Sequence, residues 1–146
     1  MRISNILLPV DGSIYSDNAI DYTVYLADLC GARVTVVSCY EWISNLPEIS
    51  DLVVNELKTK LRSQAESVLE GAAKKLADKG IPYETRPLAG SPGKMLSSLA
   101  KSKEFDLIVM GSHGHSDIAG LFLGSVTHKV LNTIYCPVLV VPETVS

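Results

Sequence analysis

The stretch Asp106–Gly114, DLIVMGSHG, places a short apolar run directly before a loop with glycine at each end. The run Asp106–Met110 is almost entirely apolar, as expected for a parallel strand that is covered on both faces of its sheet. Parallel strands need crossover connections, which are usually helical. The stretch therefore predicts a buried parallel strand within a chain that alternates strands with helices.

The remainder of the chain shows this alternation. Runs rich in apolar and β-branched residues predict four more strands, at Asn5–Val10, Arg33–Tyr40, Tyr83–Leu88 and Pro137–Val141. Helical spacing and capping residues predict the helices between them: one from a Ser13 cap to Gly31, one ending at Gly80, one over Lys94–Ser102 and one over Ser125–Thr133. We therefore predict an α/β protein whose parallel sheet has helices on both faces.

The second predicted helix is the longest, and its inward face is indicated by apolar residues that recur at helical spacing. These residues are Leu57, Leu61, Ala65, Val68, Ala72 and Leu76. Lysine, glutamate and arginine occupy the other faces, which is typical of a helix that packs one side against a sheet.

Length and composition restrict the possible functions. The 146 residues predict a single domain over residues 1–146. A formal net charge of −3 argues against a nucleic-acid or anionic-membrane partner, because the chain has no basic excess to neutralise phosphates. No apolar run approaches the roughly 20 residues that span a bilayer. The cysteines have no C-x-x-C spacing, so we expect a cytoplasmic protein with free thiols.

The predicted sheet also indicates where a ligand would bind. Ligands of such sheets lie beyond the carboxyl ends of the strands, where the strand order reverses. The segments at those ends are VDGS (10–13), CYEW (39–42), LAGSPG (88–93) and GSHG (111–114). We expect these segments to form the walls of a site.

The glycine loop has the composition of an anion site. Gly111 and Gly114 follow the strand, and Gly124-Ser125 opens the next helix after nine intervening residues. Glycines let backbone N–H groups approach a ligand closely, and a helix N-terminus attracts negative charge. The hydroxyls of Ser125 and Thr127 could donate further bonds to phosphate. The alternative, that the glycines serve turns and Ser125 only caps a helix, remains open at this stage.

Two common phosphate loops are absent from the sequence. There is no G-x-x-x-x-G-K-[ST], and no G-x-G-x-x-G follows the first strand. The spacing Gly-two-Gly-nine-Gly-Ser instead resembles the ATP-binding signature of the universal stress protein family. The resemblance extends along the whole chain, through ILLPVDGS (6–13), LIVMGSHG (107–114), LGSVTHKVL (123–131) and CPVLVVP (136–142).

The resemblance implies a doubly wound, five-stranded parallel sheet of order 3-2-1-4-5. This is a Rossmann-like fold of the adenine nucleotide alpha-hydrolase-like type. It also implies a bound adenine nucleotide, either ATP or its relatives ADP and AMP.

The resemblance further assigns residues to parts of that nucleotide. The adenine and ribose end would be lined by Pro9, Val10, Asp11 and Cys39, with Met110 and Gly111 against the ribose. The phosphates would be wrapped by Gly114, Gly124, Ser125, Val126 and Thr127. Ser13 is a further candidate, although a helix cap is its favoured role, and Asp11 has an alternative role as a charge near a helix start.

Charge balance at the phosphates is an open point of this interpretation. The loop contains no lysine or arginine, so the balance would come from Mg²⁺ or Mn²⁺ bound through the phosphates, from His113, or from Lys94. No metal held by the protein itself is expected, because His113, His115 and His128 lack the further ligands and spacing that zinc takes.

We expect no catalytic residues, because G-x-S-x-G is absent and the plausible bases for hydrolysis, His113, His115 and Asp117, all lie in a loop whose conformation the sequence does not give. The predicted function is a nucleotide-responsive stress or signalling protein. The alternatives are a dimeric interaction module without nucleotide and a slow ATPase. The resemblance implies a homodimer through the apolar edge strand Val138–Val141. Segment 115–123 is where we expect nucleotide-dependent change.

Overall fold

The structure of the protein is a computed structural model that describes residues 1–41, 50–115, 117, 123–133 and 135–143. Strands and helices alternate along these ranges. They are β1 (Asn5–Pro9), α1 (Ile14–Cys30), β2 (Arg33–Tyr40), α2 (Asp51–Asp78), β3 (Tyr83–Ala89), α3 (Pro92–Lys101), β4 (Leu107–Gly111), α4 (Ser125–Thr133) and β5 (Val138–Val141). Most of segment 115–123, where nucleotide-dependent change is predicted, lies outside the described residues.

The strands form one parallel sheet in the order β3-β2-β1-β4-β5, which confirms the predicted order. β1 lies at the centre: Ile6 pairs with Val34 of β2 on one side and with Leu107 of β4 on the other. The chain first winds from β1 towards β3 and then returns to β4. The carboxyl ends of β1 and β4 therefore flank the point where the strand order reverses.

The sheet is buried on both faces, as the apolar strands predict. Ile6 and Leu8 of β1 face a core that includes Ala19 of α1 and Leu76 of α2. Leu7 points the other way, into a second core with Leu96 of α3 and Val130 of α4. This follows from the two-residue period of a strand, which sends successive side chains to opposite faces.

The prediction for α2 is correct at its carboxyl end and wrong at its start. Ala65, Ala72 and Leu76 are buried, but Leu57 is 47% exposed. The helix has 28 residues and so extends about 42 Å at 1.5 Å per residue. The eight-residue strand β2 spans only about 26 Å. The first turns of α2 therefore extend past the sheet that the rest of the helix covers.

Pro87 lies within β3, where a proline is tolerated because β3 is an edge strand of the sheet. Along the described ranges, no helix combines the length and apolar character needed to cross a membrane.

Candidate functional site

A cleft of about 250 Å³ opens at the carboxyl ends of β1 and β4. Most of the residues predicted from the sequence lie along its walls: Pro9, Val10, Asp11, Cys39, Met110, Gly111, His113, Gly114, Ser125, Val126 and Thr127. The structure thus brings together side chains from four separate loops and helix starts. Their position matches the general rule for ligands of doubly wound sheets.

Two of the predicted residues, Ser13 and Gly124, are not among those that line the cleft. Ser13 is buried and caps α1: its hydroxyl accepts a hydrogen bond from the Ser16 N–H at 3.3 Å. Gly124 donates its N–H to the Ser112 carbonyl at 2.7 Å and so connects the start of α4 to the glycine loop. Both residues therefore hold together segments that line the cleft.

Asp11 ties the end of β1 to the glycine loop. One carboxylate oxygen accepts the Ser13 N–H at 2.9 Å, and the other accepts the His115 N–H at 3.1 Å. Each oxygen of a carboxylate has two acceptor positions. Asp11 can therefore hold the loop and still accept a hydrogen bond from a ligand.

The glycine at the end of β4 is required by close packing. A β-carbon at Gly111 would lie 2.6 Å from the Cβ of Tyr15 and 3.0 Å from its carbonyl carbon. The first distance is shorter than real Cβ contacts and the second is at their lower limit, so a larger residue here would push the first turn of α1 away from β4. A β-carbon at Gly114 would lie 2.8 Å from an oxygen of Asp11. Tyr15 and Asp11, which follow β1, thus lie so close to the loop backbone that glycine is needed at both positions.

Asp117, which the sequence indicated only as a possible base, binds both halves of the glycine loop. One of its oxygens accepts the Gly114 N–H at 2.6 Å. The other accepts the N–H of Ser125 at 3.2 Å and its hydroxyl at 3.3 Å. Burial raises the pKa of the Asp117 carboxyl, but these hydrogen bonds and the nearby His113 outweigh it, so that the pKa lies below its ordinary value.

The hydroxyl of Thr127 has a structural role. It is 2% exposed and donates to the Gly111 carbonyl at 2.8 Å. Its hydrogen is therefore not available to a ligand in this structure, although sequence analysis expected both Ser125 and Thr127 to donate to phosphate. The bond instead holds the first turn of α4 against the end of β4.

Ser112 connects the glycine loop to the edge of the sheet. Its N–H donates to the Val141 carbonyl of β5 at 2.8 Å, and its own carbonyl accepts the Gly124 N–H. The Ser112 hydroxyl lies 2.9 Å from Nδ1 of His113. The His113 ring centroid lies 5.1 Å from that of Tyr15, at an interplanar angle of 46°. These contacts fix the orientation of the loop between α1 and β5.

The other end of the cleft is apolar. Its walls there include Val37, Cys39, Leu96 and Met110. Burial raises the pKa of the Cys39 thiol to about 11, so the thiol stays protonated at neutral pH and is a weak nucleophile. Cys39 therefore contributes apolar surface, which suits a flat and weakly polar group.

Six further residues line the cleft: Ser16, Val37, Pro92, Leu96, His115 and Asp117. The sequence predicted a wall at 88–93, which contains Pro92, and indicated His115 and Asp117 only as possible bases. It did not indicate Ser16, Val37 or Leu96. Ser16 accepts the Gly12 N–H at 3.2 Å, and Pro92 begins α3. An acidic residue among glycines is a signal that could have indicated the hydrogen bonds of Asp117 to the loop, because Asp favours bonds to nearby backbone N–H groups.

The charge at the cleft is negative. Its lining carries the carboxylates of Asp11 and Asp117 and, among the residues that the structure describes, no lysine or arginine. Lys94 is exposed on the first turn of α3, and the side chain of Lys129 packs over Gly93. Over the described part of the chain, no three His, Cys, Asp or Glu side chains are grouped as metal ligands.

Comparison with known proteins identifies the family. The family model of universal stress proteins matches residues 2–142. The chain belongs to the universal stress protein family. One relative is the universal stress protein YxiE of Bacillus subtilis (strain 168). It is 32% identical over 145 residues, which cover 94% of this chain and 98% of YxiE.

Solved structures agree with this assignment. Universal stress protein UspA from Lactobacillus plantarum matches with a TM-score of 0.87 and 26% identity, over 97% of this chain and 99% of that one. A universal stress protein solved in complex with cAMP matches with a TM-score of 0.73 and 28% identity, over 99% and 100% of the two chains.

Proposed function

We propose that this universal stress protein binds an adenine nucleotide, ATP foremost, in the cleft between β1 and β4. The observation that carries the proposal is the convergence of the glycine loop, the N-terminus of α4 and an apolar pocket at the switch point of the sheet. Backbone N–H groups and a helix N-terminus favour phosphate. The similar protein solved with cAMP supports an adenine nucleotide as the ligand class.

The residues divide between the two ends of the nucleotide. Pro9, Val10, Cys39 and Met110 offer the apolar surface for adenine and ribose, with the free acceptor positions of Asp11 nearby. The phosphates would lie against backbone N–H groups of the loop, lined by Gly111, Gly114 and Val126, and against Ser125. The imidazole side chains of His113 and His115 also line the cleft.

A divalent cation fits this site. Mg²⁺ is usually bound by one or two carboxylates together with substrate phosphates, and the cleft supplies the carboxylates of Asp11 and Asp117. Mg²⁺ or Mn²⁺ would balance phosphate charge that no lysine or arginine of the described lining balances.

Binding is expected to raise the melting temperature. A ligand that binds only the folded state stabilises it by about 2.7 kcal/mol at a hundredfold excess over Kd. For a chain of this length that corresponds to about 5 to 10 °C. Differential scanning fluorimetry with ATP, ADP, AMP and adenosine, each with and without Mg²⁺, measures it. If none of these ligands changes the melting temperature at millimolar concentration, the proposal is wrong and the interaction-module alternative is favoured.

The proposed biological role is a nucleotide-responsive stress or signalling protein of the cytoplasm that turns ATP over slowly or not at all. The proposed assembly is a homodimer that pairs the β5 strands of two copies. β5 is an edge strand, and the carbonyls of Pro137 and Val141 face β4. By the alternation of a strand, the backbone groups of Val138 and Val140 face outward, where a second chain could pair with them.

Substituting Val140→Pro is expected to shift the protein from dimer to monomer. Proline removes one outward N–H without changing the bonds to β4, and edge strands tolerate proline. Light scattering coupled to size-exclusion chromatography measures the mass. Val140→Thr is the matched control, because it keeps both the N–H and the branched side chain. A Val140→Pro variant that dimerises as well as the control would place the interface elsewhere.

A further inference from the structure

The carboxylate of Asp117 occupies the donors that the glycine loop would offer to a phosphate. It accepts the N–H groups of Gly114 and Ser125 and the Ser125 hydroxyl, at 2.6, 3.2 and 3.3 Å. We propose that Asp117 is a specificity-determining residue of the cleft, an internal anion that competes with the phosphates of the ligand. The inference rests on the proposed function, since it concerns the selectivity of the same site.

Asp117 and a phosphate would compete for the same hydrogen-bond donors. An N–H group makes one good hydrogen bond, and the bond from Gly114 to Asp117 is short and charge-assisted. The N-terminus of α4 carries a partial positive charge, which the carboxylate of Asp117 already compensates at Ser125. A phosphate oxygen that takes these donors must therefore displace Asp117 from them.

The neighbouring charges make the competition depend on the ligand. Asp11 lies on the other side of Gly114 and accepts the His115 N–H at 3.1 Å, so two carboxylates face the loop. Because the pKa of Asp117 is lowered, its carboxylate is charged at neutral pH. Repulsion grows with each phosphate. Asp117 thus disfavours ATP most, AMP less and adenosine least when no cation accompanies the nucleotide.

Asp117→Asn tests the proposal, because asparagine keeps the size of the side chain and removes its charge. Isothermal titration calorimetry gives Kd for adenosine, AMP and ATP in the presence of EDTA. We expect Kd for ATP to fall about tenfold, Kd for AMP to fall less, and Kd for adenosine to stay within about twofold. A tenfold change in Kd corresponds to about 1.4 kcal/mol of binding free energy. Asp28→Asn is the matched control for net charge, since Asp28 is exposed on α1, away from the cleft.

The outcomes separate this inference from the proposed function. If the wild-type protein and Asp117→Asn bind ATP with equal Kd, the inference is overturned and the nucleotide site stands. If Asp117→Asn weakens ATP binding in EDTA, Asp117 is a ligand of the nucleotide itself, and the competition is overturned. If neither the wild-type protein nor Asp117→Asn binds adenosine or ATP, the proposed function fails and the inference fails with it.

A second measurement covers the case in which the variant does not fold. In the wild-type protein, the ¹³C signal of the Asp117 carboxyl carbon reports its hydrogen bonds. Saturation with ATP in EDTA is expected to shift that signal, because the carboxylate loses the N–H groups of Gly114 and Ser125. Saturation with adenosine is expected to leave it in place. An unchanged signal with ATP overturns the proposal.

Discussion

Gly124→Val is expected to abolish the rise in melting temperature that we propose for the wild-type protein with ATP. A β-carbon at Gly124 would lie 2.9 Å from the Cα of His113 and would collide with the carboxylate of Asp117. Contact with a backbone atom cannot be relieved by rotating a side chain. The valine therefore forces the two halves of the glycine loop apart, and the N–H groups of Gly114 and Ser125 no longer converge.

The matched control is Gly71→Val, because a β-carbon at Gly71 of α2 meets nothing within 4 Å. Differential scanning fluorimetry of both variants, with and without ATP, separates loss of binding from loss of fold. The proposed dimer is expected to form in both variants, since Gly124 is not on the outward edge of β5. A normal ATP response in Gly124→Val would mean that the phosphates bind elsewhere.

Leu8→Ala is expected to lower the free energy of unfolding by about 2–5 kcal/mol. Leu8 lies in the central strand and is completely buried, in the core that α1 and α2 cover. Truncation removes apolar contacts and leaves a cavity, because close-packed neighbours relax only in part. Urea denaturation monitored by circular dichroism measures the change as a lower midpoint at an unchanged slope.

Leu29→Ala is the comparison for this core variant. Leu29 is on α1 and is 69% exposed, and surface substitutions usually change stability by no more than about 0.5 kcal/mol. A loss at Leu8 no larger than the loss at Leu29 would mean that β1 is not at the centre of the fold.

The local elements could be predicted closely from the sequence because each has a local cause. Gly31, with a φ of 67°, ends α1 in the left-handed conformation that glycine favours, and the predicted helix Ser125–Thr133 matches α4. The strand order is different. Apolar runs do not state which strands are neighbours, so the order was implied by the family resemblance and confirmed by the pairing of β1 with β2 and β4. The exposure of Leu57 could not be predicted, because periodicity does not reveal where the sheet ends.

The candidate site shows the same division. The lining positions of Asp11, Gly111 and Ser125 follow from strand ends and helix starts, which periodicity predicts. The role of Asp117 does not, because it depends on the path by which the loop returns to Gly114. The Thr127 hydroxyl was assigned to phosphate from its residue type, whereas the packing of α4 against β4 directs it to the Gly111 carbonyl.

The hydrogen bonds of Ser112 have a thermodynamic consequence. One residue links the end of β5 to the start of α4, through the Val141 carbonyl and the Gly124 N–H. A ligand that moves the loop thus acts on the same backbone as a second chain paired with β5. Coupling free energies are reciprocal: whatever factor subunit association applies to ligand affinity, the ligand applies to the dimerisation constant. In the proposed dimer, nucleotide binding and association of the β5 strands would therefore each change the equilibrium constant of the other by the same factor.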